Sequence, residues 1–437
     1  MNTYEEAVEW IHARLRLGIK PGLERMKHLL DALDNPQDKI KSVHIGGTNG
    51  KGSTVTFLRN ILQEAGYTIG TFTSPYFERF NERISLNGHP IPDEELLSLV
   101  ALIKPIAEGM KDSEWGEPSE FEVITAMSMM YFAEIKPDFV LYEVGLGGRL
   151  DSTNVITPLV SVITSIGMDH MQFLGDTIEE ISYEKAGIIK QGVPVVSGAT
   201  QREAKEVLMR TAAERGSKFY QAGRDFGAQR LMVLERGERF QFQSQTNEGT
   251  YEITMMGEHQ VQNAALALKT VECLRDLNEI SYTETHLQTG LKSAFWPGRM
   301  EMVNVNPTVI LDGAHNPEGI RALVKSIHER FPTDKVTILF SALKDKELKN
   351  MISLLEEPAS SIVFTTFSFP RAAGSDELLS LSNHPRKGEA SDWKRYIEDK
   401  LDGMEENETL FITGSLYFLS EVKPYLVEKL ENSRKNK

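Results

Sequence analysis

A glycine-rich run from His44 to Ser53, HIGGTNGKGS, carries residue types that could hold a phosphate group. Its glycines let backbone N–H groups turn toward an anion, and the start of a following helix favours negative charge. Lys51 is spaced to reach the outer phosphates, and Ser53 or Thr54 to face a metal ion. A turn without a ligand is the alternative, but a lysine at a helix start opposes the helix dipole unless an anion compensates it. The run therefore predicts nucleotide binding. It departs from a standard Walker motif in its shorter glycine spacing and in Gly52, which separates the lysine from the hydroxyl.

Further polar side chains follow predicted strands. Glu143 ends the apolar run FVLYEV, where a carboxylate could hold magnesium through oxygen. Asp169 and His170 are predicted to end the next strand, and a histidine there binds a metal when neutral or a phosphate when charged. Ser74 follows the predicted strand 68–73 and is a further magnesium candidate. Taken singly, each of these residues also fits a cap, an ion pair or a turn.

Lys185 lies in a helical pattern on a face with Ile181 and Ile188, so we expect it to be partly buried. An ion pair with Glu184 or another carboxylate is one interpretation. The other is a lysine with a shifted pKa or a chemical modification.

A second predicted strand-to-helix turn, DGAHNP, contains Asp312 and His315. Both are candidate contacts to a ribose or a phosphate, and Asn316 before a proline predicts a helix cap. Arg299 stands near a predicted domain boundary, where a guanidinium could reach a phosphate. Together these residues predict a nucleotide held between two domains.

The composition is that of an ordinary water-soluble globular protein of 437 residues. Its net charge of −15 argues against a broad nucleic-acid-binding face, which requires cationic side chains. No apolar run approaches the ~20 residues that span a bilayer. The single cysteine, Cys273, excludes an internal disulfide and is typical of a reducing cytoplasm.

Strand and helix patterns alternate along the chain, which predicts an α/β fold with a doubly wound, mostly parallel sheet. Alternation at period two predicts a few antiparallel strands between residues 223 and 256. A boundary near 296–299 divides the chain into residues 1–296, the glycine-loop domain, and residues 297–437, a smaller α/β domain expected to close over the nucleotide. Helices are predicted at 120–135, 177–190 and 261–274, and strands at 42–45, 68–73, 139–144, 160–166, 193–196, 308–312, 335–340, 360–366 and 409–413.

Over nearly its whole length the chain resembles the folylpolyglutamate synthase and dihydrofolate synthase family, a branch of the ATP-dependent amide ligases that includes the muramyl peptide ligases. The resemblance is carried, in order, by GIKPGLERM, GTNGKGS, TSPYFERFNERI, EVGLGGRLDSTN, SIGMDHMQFLG, EKAGIIK, FWPGRM and DGAHNP. Muramyl ligases typically have threonine directly after the loop lysine. This chain has Gly52, which favours the folate branch.

The resemblance implies an enzyme of folate biosynthesis and one-carbon metabolism, a cytoplasmic monomer that binds small molecules and neither nucleic acid nor membrane. ATP would phosphorylate a carboxylate of tetrahydrofolate or dihydropteroate, and the amine of L-glutamate would then displace phosphate from the acyl phosphate. Many bifunctional members have histidine after TSP. This chain has Tyr76, which leaves its use of dihydropteroate open. A muramyl-type ligase with another acceptor is the alternative.

The resemblance also implies roles for single residues. Lys51, Lys185 and His170 would be catalytic, and Lys185 matches a lysine that the family carbamylates. Ser74, Glu143 and His170 would hold magnesium, with two ions expected. The implied ATP contacts are Gly47, Thr48, Asn49, Gly50, Lys51, Gly52, Ser53, Asn263, Arg299, Asp312 and His315. The implied folate or pterin contacts are Ser119, Glu120, Phe121, Glu122, Leu150, Asp151 and Ser152.

Overall fold

The structure, a computed structural model, describes residues 3–18, 20–405 and 407–435, with side chains described to residue 431. The chain divides into two compact units. The first unit comprises Met1–Val233, Arg239–Thr254 and Gln260–Ala294. The second comprises Leu234–Glu238, Met255–His259 and Phe295–Lys437.

The first unit is built on a mostly parallel sheet, which has eight strands in the described part of the chain. These strands are β1 (Ser42–Gly46), β2 (Ile69–Phe72), β3 (Ile84–Leu86), β4 (His89–Pro90), β5 (Phe139–Glu143), β6 (Val160–Ile163), β7 (Val195–Ser197) and β8 (Phe219–Gln221). Their order is β4-β3-β2-β5-β1-β6-β7-β8, with β3 and β4 antiparallel at one edge. β1 is therefore a central strand, flanked by β5 and β6, and its residues are buried as the apolar runs predict.

Helices precede, separate and follow the strands of this sheet. They are α1 (Tyr4–His12), α2 (Glu24–Asp31), α3 (Lys51–Glu64), α4 (Asp93–Gly109), α5 (Glu120–Ile135), α6 (Met171–Leu174), α7 (Ile178–Ala186), α8 (Arg202–Glu214), α9 (Glu258–Asp276) and α10 (Glu284–Ser293). One hydrophobic core packs α1, α2, α4 and α5 together, and another packs α7 and α8 with β6 and β7. α3 begins at Lys51, inside the glycine-rich run, so the last residues of the run form the first turn of this helix.

The segment with period-two alternation forms a separate three-stranded sheet. Its strands are β9 (Phe226–Val233), β10 (Glu238–Ser244) and β11 (Glu248–Ile253), in the order β11-β10-β9. Short turns join the strands, as the sequence predicts.

The second unit has its own sheet of six strands among the described residues, in the order β12-β13-β17-β14-β15-β16. The strands are β12 (Glu301–Val305), β13 (Thr308–Asp312), β14 (Val336–Phe340), β15 (Ser361–Thr365), β16 (Lys387–Ala390) and β17 (Thr409–Thr413). The helices are α11 (Pro317–Arg330), α12 (Leu348–Glu356), α13 (Ser375–Leu381), α14 (Trp393–Gly403) and α15 (Leu416–Lys435). Only the pairing of β12 with β13 is antiparallel among the pairs described.

The predicted α/β class with mostly parallel sheets is confirmed, but several element boundaries differ from the predicted ones by one to four residues, and two of these differences bear on the candidate residues. β6 ends at Ile163 rather than at 166, so Asp169 and His170 lie in a loop beyond the strand. α7 ends at Ala186 rather than at 190, because Gly187 leaves the helix where the chain passes close to Arg149. Among the described helices, none combines the length and apolarity needed to cross a lipid bilayer.

Candidate active site

The glycine-rich run forms a tight connection between β1 and α3, and two of its glycines have left-handed backbone angles. Gly47 has a φ of +144° and Gly50 a φ of +86°. A Cβ atom on Gly47 would clash with the Thr164 hydroxyl, and one on Gly50 would clash with the side-chain oxygen of Asn263. Both positions therefore require glycine, for conformation and for space.

The first part of the loop is anchored to the chain that follows β6. The Thr48 N–H donates to the Ser165 carbonyl at 2.8 Å, and the Asn49 N–H donates to the Ser165 hydroxyl at 2.9 Å. The Thr164 hydroxyl donates to the Asn49 carbonyl at 2.7 Å. The N–H groups from Gly50 onward belong to the cap and first turn of α3, where N–H groups lack an intrahelical acceptor. These are the donors suited to an anion.

Two lysines converge on one carbonyl of the loop. Lys51 Nζ donates to the Gly47 carbonyl at 3.2 Å, and Lys185 Nζ donates to the same oxygen at 3.1 Å. Lys185 is buried, beyond the partial burial that the sequence predicts. Burial lowers the pKa of Lys185 to about 7, and the positive charge of Lys51 acts in the same direction. The loop thus combines backbone donors with two amine groups, an arrangement that fits a polyphosphate.

Two of the three predicted metal ligands lie together. Glu143 is buried at the end of β5, and its carboxylate accepts a hydrogen bond from the backbone N–H of Ser74 at 3.2 Å. A carboxylate and a serine hydroxyl are hard oxygen donors, so this pair fits Mg²⁺, which completes its octahedron with water and phosphate oxygens. Within the described ranges, no cluster of three or more His, Cys, Asp or Glu side chains is placed to hold a metal ion.

The third predicted ligand, His170, is exposed at the start of α6. It has a φ of +53°, and its backbone N–H donates to the Asp169 carboxylate at 2.9 Å. The structure thus brings Ser74 and Glu143 together, and it places His170 in the chain that follows β6.

The residues predicted to hold a pterin begin with the N-terminus of α5. Ser119 caps this helix, and its N–H and hydroxyl both donate to Glu122 Oε2, at 2.7 and 2.9 Å. Arg25, from the GIKPGLERM motif, donates to the same oxygen at 2.8 Å. Glu122 Oε1 is buried, and no hydrogen-bond partner for it lies among the described residues. Glu122 therefore stabilises the start of α5 through Oε2, while its Oε1 could still accept a hydrogen bond.

Glu120 and Phe121, the first two residues of α5, contact different partners. Glu120 Oε1 lies 3.1 Å from His12 Nδ1 and 3.7 Å from the Arg83 guanidinium. The ring of Phe121 lies against Gly145, where a side chain would clash with it. The chain thereby brings α5 close to the turn that follows β5.

That turn carries the remaining predicted acceptor residues. Leu150 and Ser152 are half-buried, while Asp151 is buried. The Leu146 N–H donates to Asp151 Oδ2 at 2.8 Å, and the Thr153 N–H donates to Oδ1 at 3.0 Å. Burial raises the pKa of Asp151 above its ordinary value, although these hydrogen bonds oppose the rise. Both carboxylate oxygens are thus occupied by neighbours in the chain.

Tyr76, which follows the TSP motif, is half-buried and packs against the core around α5. Its ring centroid lies 5.9 Å from that of Phe80, and the Arg83 guanidinium lies 5.3 Å from the Tyr76 ring. Since Arg83 also approaches Glu120, the aromatic side chain is continuous with the predicted acceptor region.

Asn263, predicted to contact ATP, lies on α9 beside Gly50. Its side-chain amide donates to Gln260 Oε1 at 3.0 Å, which directs its oxygen toward the glycine. The structure thus places Asn263 next to the loop. Sequence reasoning missed Thr164 and Ser165, because the apolar run predicts a strand that continues to 166 and no local signal marks their contacts with the loop.

The candidate residues of the second unit cluster at the end of β13. The Asp312 carboxylate accepts from the N–H groups of Met300 at 2.9 Å and Ala314 at 3.0 Å. Burial raises the pKa of Asp312, and the nearby Arg299 charge opposes the rise. His315 Nδ1 lies 2.8 Å from the Gly313 carbonyl, so a neutral ring carries its proton on Nδ1 and leaves Nε2 as an acceptor.

The helix cap predicted in this turn is confirmed. Asn316 accepts a hydrogen bond from the Gly319 N–H at 2.8 Å, and Pro317 occupies the first position of α11. The cap fixes the direction in which the chain leaves Asp312.

Two family models match the chain. One is described as the Mur ligase middle domain and matches residues 45–271. The other is described as the Mur ligase, glutamate ligase domain and matches residues 298–416. Together they span most of the chain, including both clusters of candidate residues.

Named relatives and solved structures match over the same length. The chain is 49% identical over 434 residues to the dihydrofolate synthase/folylpolyglutamate synthase of Bacillus subtilis (strain 168), covering 97% of this chain and 99% of that protein. A Mycobacterium tuberculosis folylpolyglutamate synthase complexed with ADP and AMPPCP matches with a TM-score of 0.88 at 29% identity, covering 96% and 98% of the two chains. An FPGS–AMPPCP–folate complex matches with a TM-score of 0.85 at 34% identity, covering 97% and 100%.

Proposed function

This chain belongs to the folylpolyglutamate synthase and dihydrofolate synthase family of Mur-type ligases, and from that premise we propose that it joins L-glutamate to the carboxylate of a folate at the expense of ATP. The observation that carries the proposal is the convergence of Lys51 and Lys185 on the Gly47 carbonyl, beside the open N–H groups of α3. The relatives are folate ligases, so the muramyl-type alternative is not favoured.

The proposed reaction has two steps. A carboxylate oxygen of the folate attacks the γ-phosphorus of ATP, which forms an acyl phosphate and releases ADP. The amine of L-glutamate then attacks the acyl carbon, loses a proton and expels phosphate, which leaves an amide. Lys51 and the first N–H groups of α3 bind the phosphates and offset the negative charge that spreads over the transferred group.

Ser74 and Glu143, with His170, are the residues that would hold magnesium, and we propose two ions. When bound, Mg²⁺ supplies positive charge to the phosphate oxygens. Glu143 is suited to this role because its buried carboxylate is already oriented by the Ser74 N–H.

Lys185 is proposed to carry a carbamate. The nitrogen of its neutral amine would bond to the carbon of CO₂ and lose one proton, which converts the neutral amine into a carbamate anion. The reaction requires the neutral amine, and the pKa of about 7 makes that form abundant near neutrality. Mass spectrometry of the folded protein, with and without bicarbonate, tests this assignment.

The remaining ATP contacts are proposed from the family resemblance. Asn263, which lies beside Gly50, is the candidate in the first unit. Arg299, Asp312 and His315 are the candidates in the second unit, where the first two carry opposite charges close together. In this proposal residues 1–296 supply the ATP-binding domain and residues 297–437 the second ligase domain.

The acceptor is proposed to lie against α5 and the turn at Asp151. Tetrahydrofolate is the proposed acceptor, and dihydropteroate is a second acceptor if Tyr76 does not exclude it. The protein is further proposed to act in the cytoplasm as a monomer. The buried Cys273, whose thiol pKa burial raises to about 12, is consistent with a reducing compartment.

Glutamate-dependent phosphate release from ATP tests the function, measured separately with tetrahydrofolate and with dihydropteroate. Activity with both acceptors indicates a bifunctional synthase, and activity with tetrahydrofolate alone a dedicated polyglutamylating enzyme. Lys51→Ala and Glu143→Ala should abolish turnover while leaving thermal unfolding cooperative. Lys39→Ala, which removes an exposed lysine paired with Asp34, is the matched control and should keep full activity. Turnover without either acceptor, or near-normal activity of both site variants, would contradict the proposal.

A further inference from the structure

A buried histidine lies in β1, two residues before the first glycine of the glycine-rich run, and the proposed chemistry does not use it. His44 is fully buried in the central strand, opposite Tyr142 of β5 and Ser161 of β6. Its Nε2 lies 2.8 Å from the hydroxyl oxygen of Thr153. Burial, together with the positive charge of Lys190, lowers the pKa of His44 to about 3, so the ring is neutral.

Thr153 continues the hydrogen-bond chain to Asp151. Its hydroxyl donates to Asp151 Oδ1 at 2.5 Å, the oxygen that also accepts from the Thr153 N–H. A threonine hydroxyl has one hydrogen, so its oxygen can only accept from His44. The neutral ring of His44 therefore carries its proton on Nε2. The direction of both bonds follows, from His44 through Thr153 to Asp151.

Asp151 in turn closes the segment that follows β5. Its second oxygen accepts from the Leu146 N–H at 2.8 Å. This segment begins two residues after Glu143, and its glycine at 145 lies against the Phe121 ring. The orientation of the Asp151 carboxylate thereby determines the shape of the turn on the acceptor side of the site.

If this position served packing alone, an apolar side chain would be more favourable than the His44 ring. Its Nδ1 is buried, and within the described part of the chain it has no hydrogen-bond partner. A buried nitrogen without a partner costs free energy that an apolar side chain of similar size avoids. The benefit that offsets this cost is the bond from Nε2 to Thr153.

We propose that His44 and Thr153 are positioning residues for the acceptor: a hydrogen bond from His44 on the central strand to Thr153, and one from Thr153 to Asp151, orient the Asp151 carboxylate and, through it, the turn from Gly145 to Asp151. The inference rests on the proposed function for the identity of the acceptor, a folate. It predicts that loss of either bond weakens acceptor binding more than ATP binding, because the glycine loop has its own anchors at Thr164 and Ser165.

Steady-state kinetics of Thr153→Val and Thr153→Ser test the proposal. Valine removes the hydroxyl and should raise the KM for tetrahydrofolate about tenfold while the KM for ATP stays within about twofold. Serine keeps the hydroxyl and should restore the wild-type KM. Thr270→Val is the matched control, because it removes another fully buried hydroxyl, which donates to the Leu266 carbonyl within α9. Thr270→Val should lower the thermal stability without raising the KM for tetrahydrofolate relative to the KM for ATP.

His44→Leu and His44→Gln give a second, independent comparison should Thr153→Val not fold. Leucine removes the donor, whereas the glutamine amide keeps one near the position of Nε2, so the folate KM should rise with leucine and recover with glutamine. The positioning role would be overturned if Thr153→Val and His44→Leu both left the KM for tetrahydrofolate unchanged, or if they raised the KM for ATP by the same factor.

A measurement that needs no turnover separates this inference from the proposed function. Nitrogen NMR shifts of the His44 ring, assigned by comparison with His44→Gln, should report a proton on Nε2 that persists between pH 6 and 8. A proton on Nδ1, or titration in that range, would refute the hydrogen-bond chain. If the wild-type protein showed the Nε2 tautomer but had no activity with folates, the proposed function would be overturned, whereas the hydrogen bonds from His44 through Thr153 to Asp151 would be supported.

Discussion

Replacing Lys185 by methionine should change how the stability of the protein depends on pH. Lys185 is buried and donates to the Gly47 carbonyl, and burial lowers the pKa of its amine from 10.5 to about 7. Between these two values the folded protein holds fewer protons than the unfolded chain. The free energy of unfolding therefore rises with pH in that window, and the full cost of burying the charged amine is felt below pH 7. Methionine, of similar length, has no charge to bury.

The size of the effect follows from the two pKa values. With about 7 in the folded state and 10.5 in the unfolded state, the wild type should gain about 2 kcal/mol relative to Lys185→Met between pH 7 and pH 9. At pH 7.5 roughly three quarters of the Lys185 amines are neutral, against about one in a thousand for an ordinary lysine. The same neutral fraction is the reactant that carbamylation requires.

Urea unfolding at several pH values between 7 and 9 measures the effect, in buffers freed of CO₂ so that carbamylation does not remove the amine from titration. Lys39→Met, at an exposed position, serves as the matched control. Its difference from the wild type should stay flat across the window. A difference between Lys185→Met and the wild type that is equally flat would refute the reasoning and show that the amine is solvated in the folded protein.

Three further predictions concern structure near the site. Glu272→Ala should lower the free energy of unfolding by about 3–5 kcal/mol, because the buried Lys269 ammonium loses the carboxylate that lies 2.8 Å from it. In urea unfolding, the double variant Lys269→Met/Glu272→Leu should lose less of this free energy than Glu272→Ala does. Gly50→Ala should lower the free energy of unfolding by about 1–2 kcal/mol and raise the KM for ATP, because Gly50 has a left-handed φ and a Cβ there would clash with Asn263. An unchanged KM for ATP would contradict the clash. Asn316→Ala should cost about 1 kcal/mol through loss of the α11 cap, whereas Asn316→Ser should retain most of the stability in thermal unfolding.

Much of the fold could be predicted because its strands are buried on both faces. Such strands read as continuous apolar runs, and the bounds predicted for β13 and β17 agree with the structure. The prediction of α5 also agrees at both ends, since Ser119 and Glu122 form a capping box at its start. Local signals of this kind need no knowledge of distant residues.

The remaining features depend on tertiary contacts that no local pattern encodes. Thr164 favours strand structure by type, yet the hydroxyls of Thr164 and Ser165 bond to the glycine loop and β6 ends before them. His170 itself has a left-handed backbone angle at the start of α6, which the apolar run before it does not predict. Arg25 entered only through the family resemblance, because its partner Glu122 is nearly a hundred residues away.

The second unit borrows two short segments, Leu234–Glu238 and Met255–His259, from the middle of the chain. The Arg330 guanidinium, almost fully buried on α11, donates to the Leu234 and Gly237 carbonyls and pairs with the Glu238 carboxylate. A gene fragment that starts at Phe295 would encode this arginine without any of those acceptors. A fragment that holds the complete unit must therefore carry residues 234–238 and 255–259 together with residues 295–437. We expect a protein expressed from Phe295 onward to be less stable than the same unit in the full chain, because the buried guanidinium would lose its acceptors.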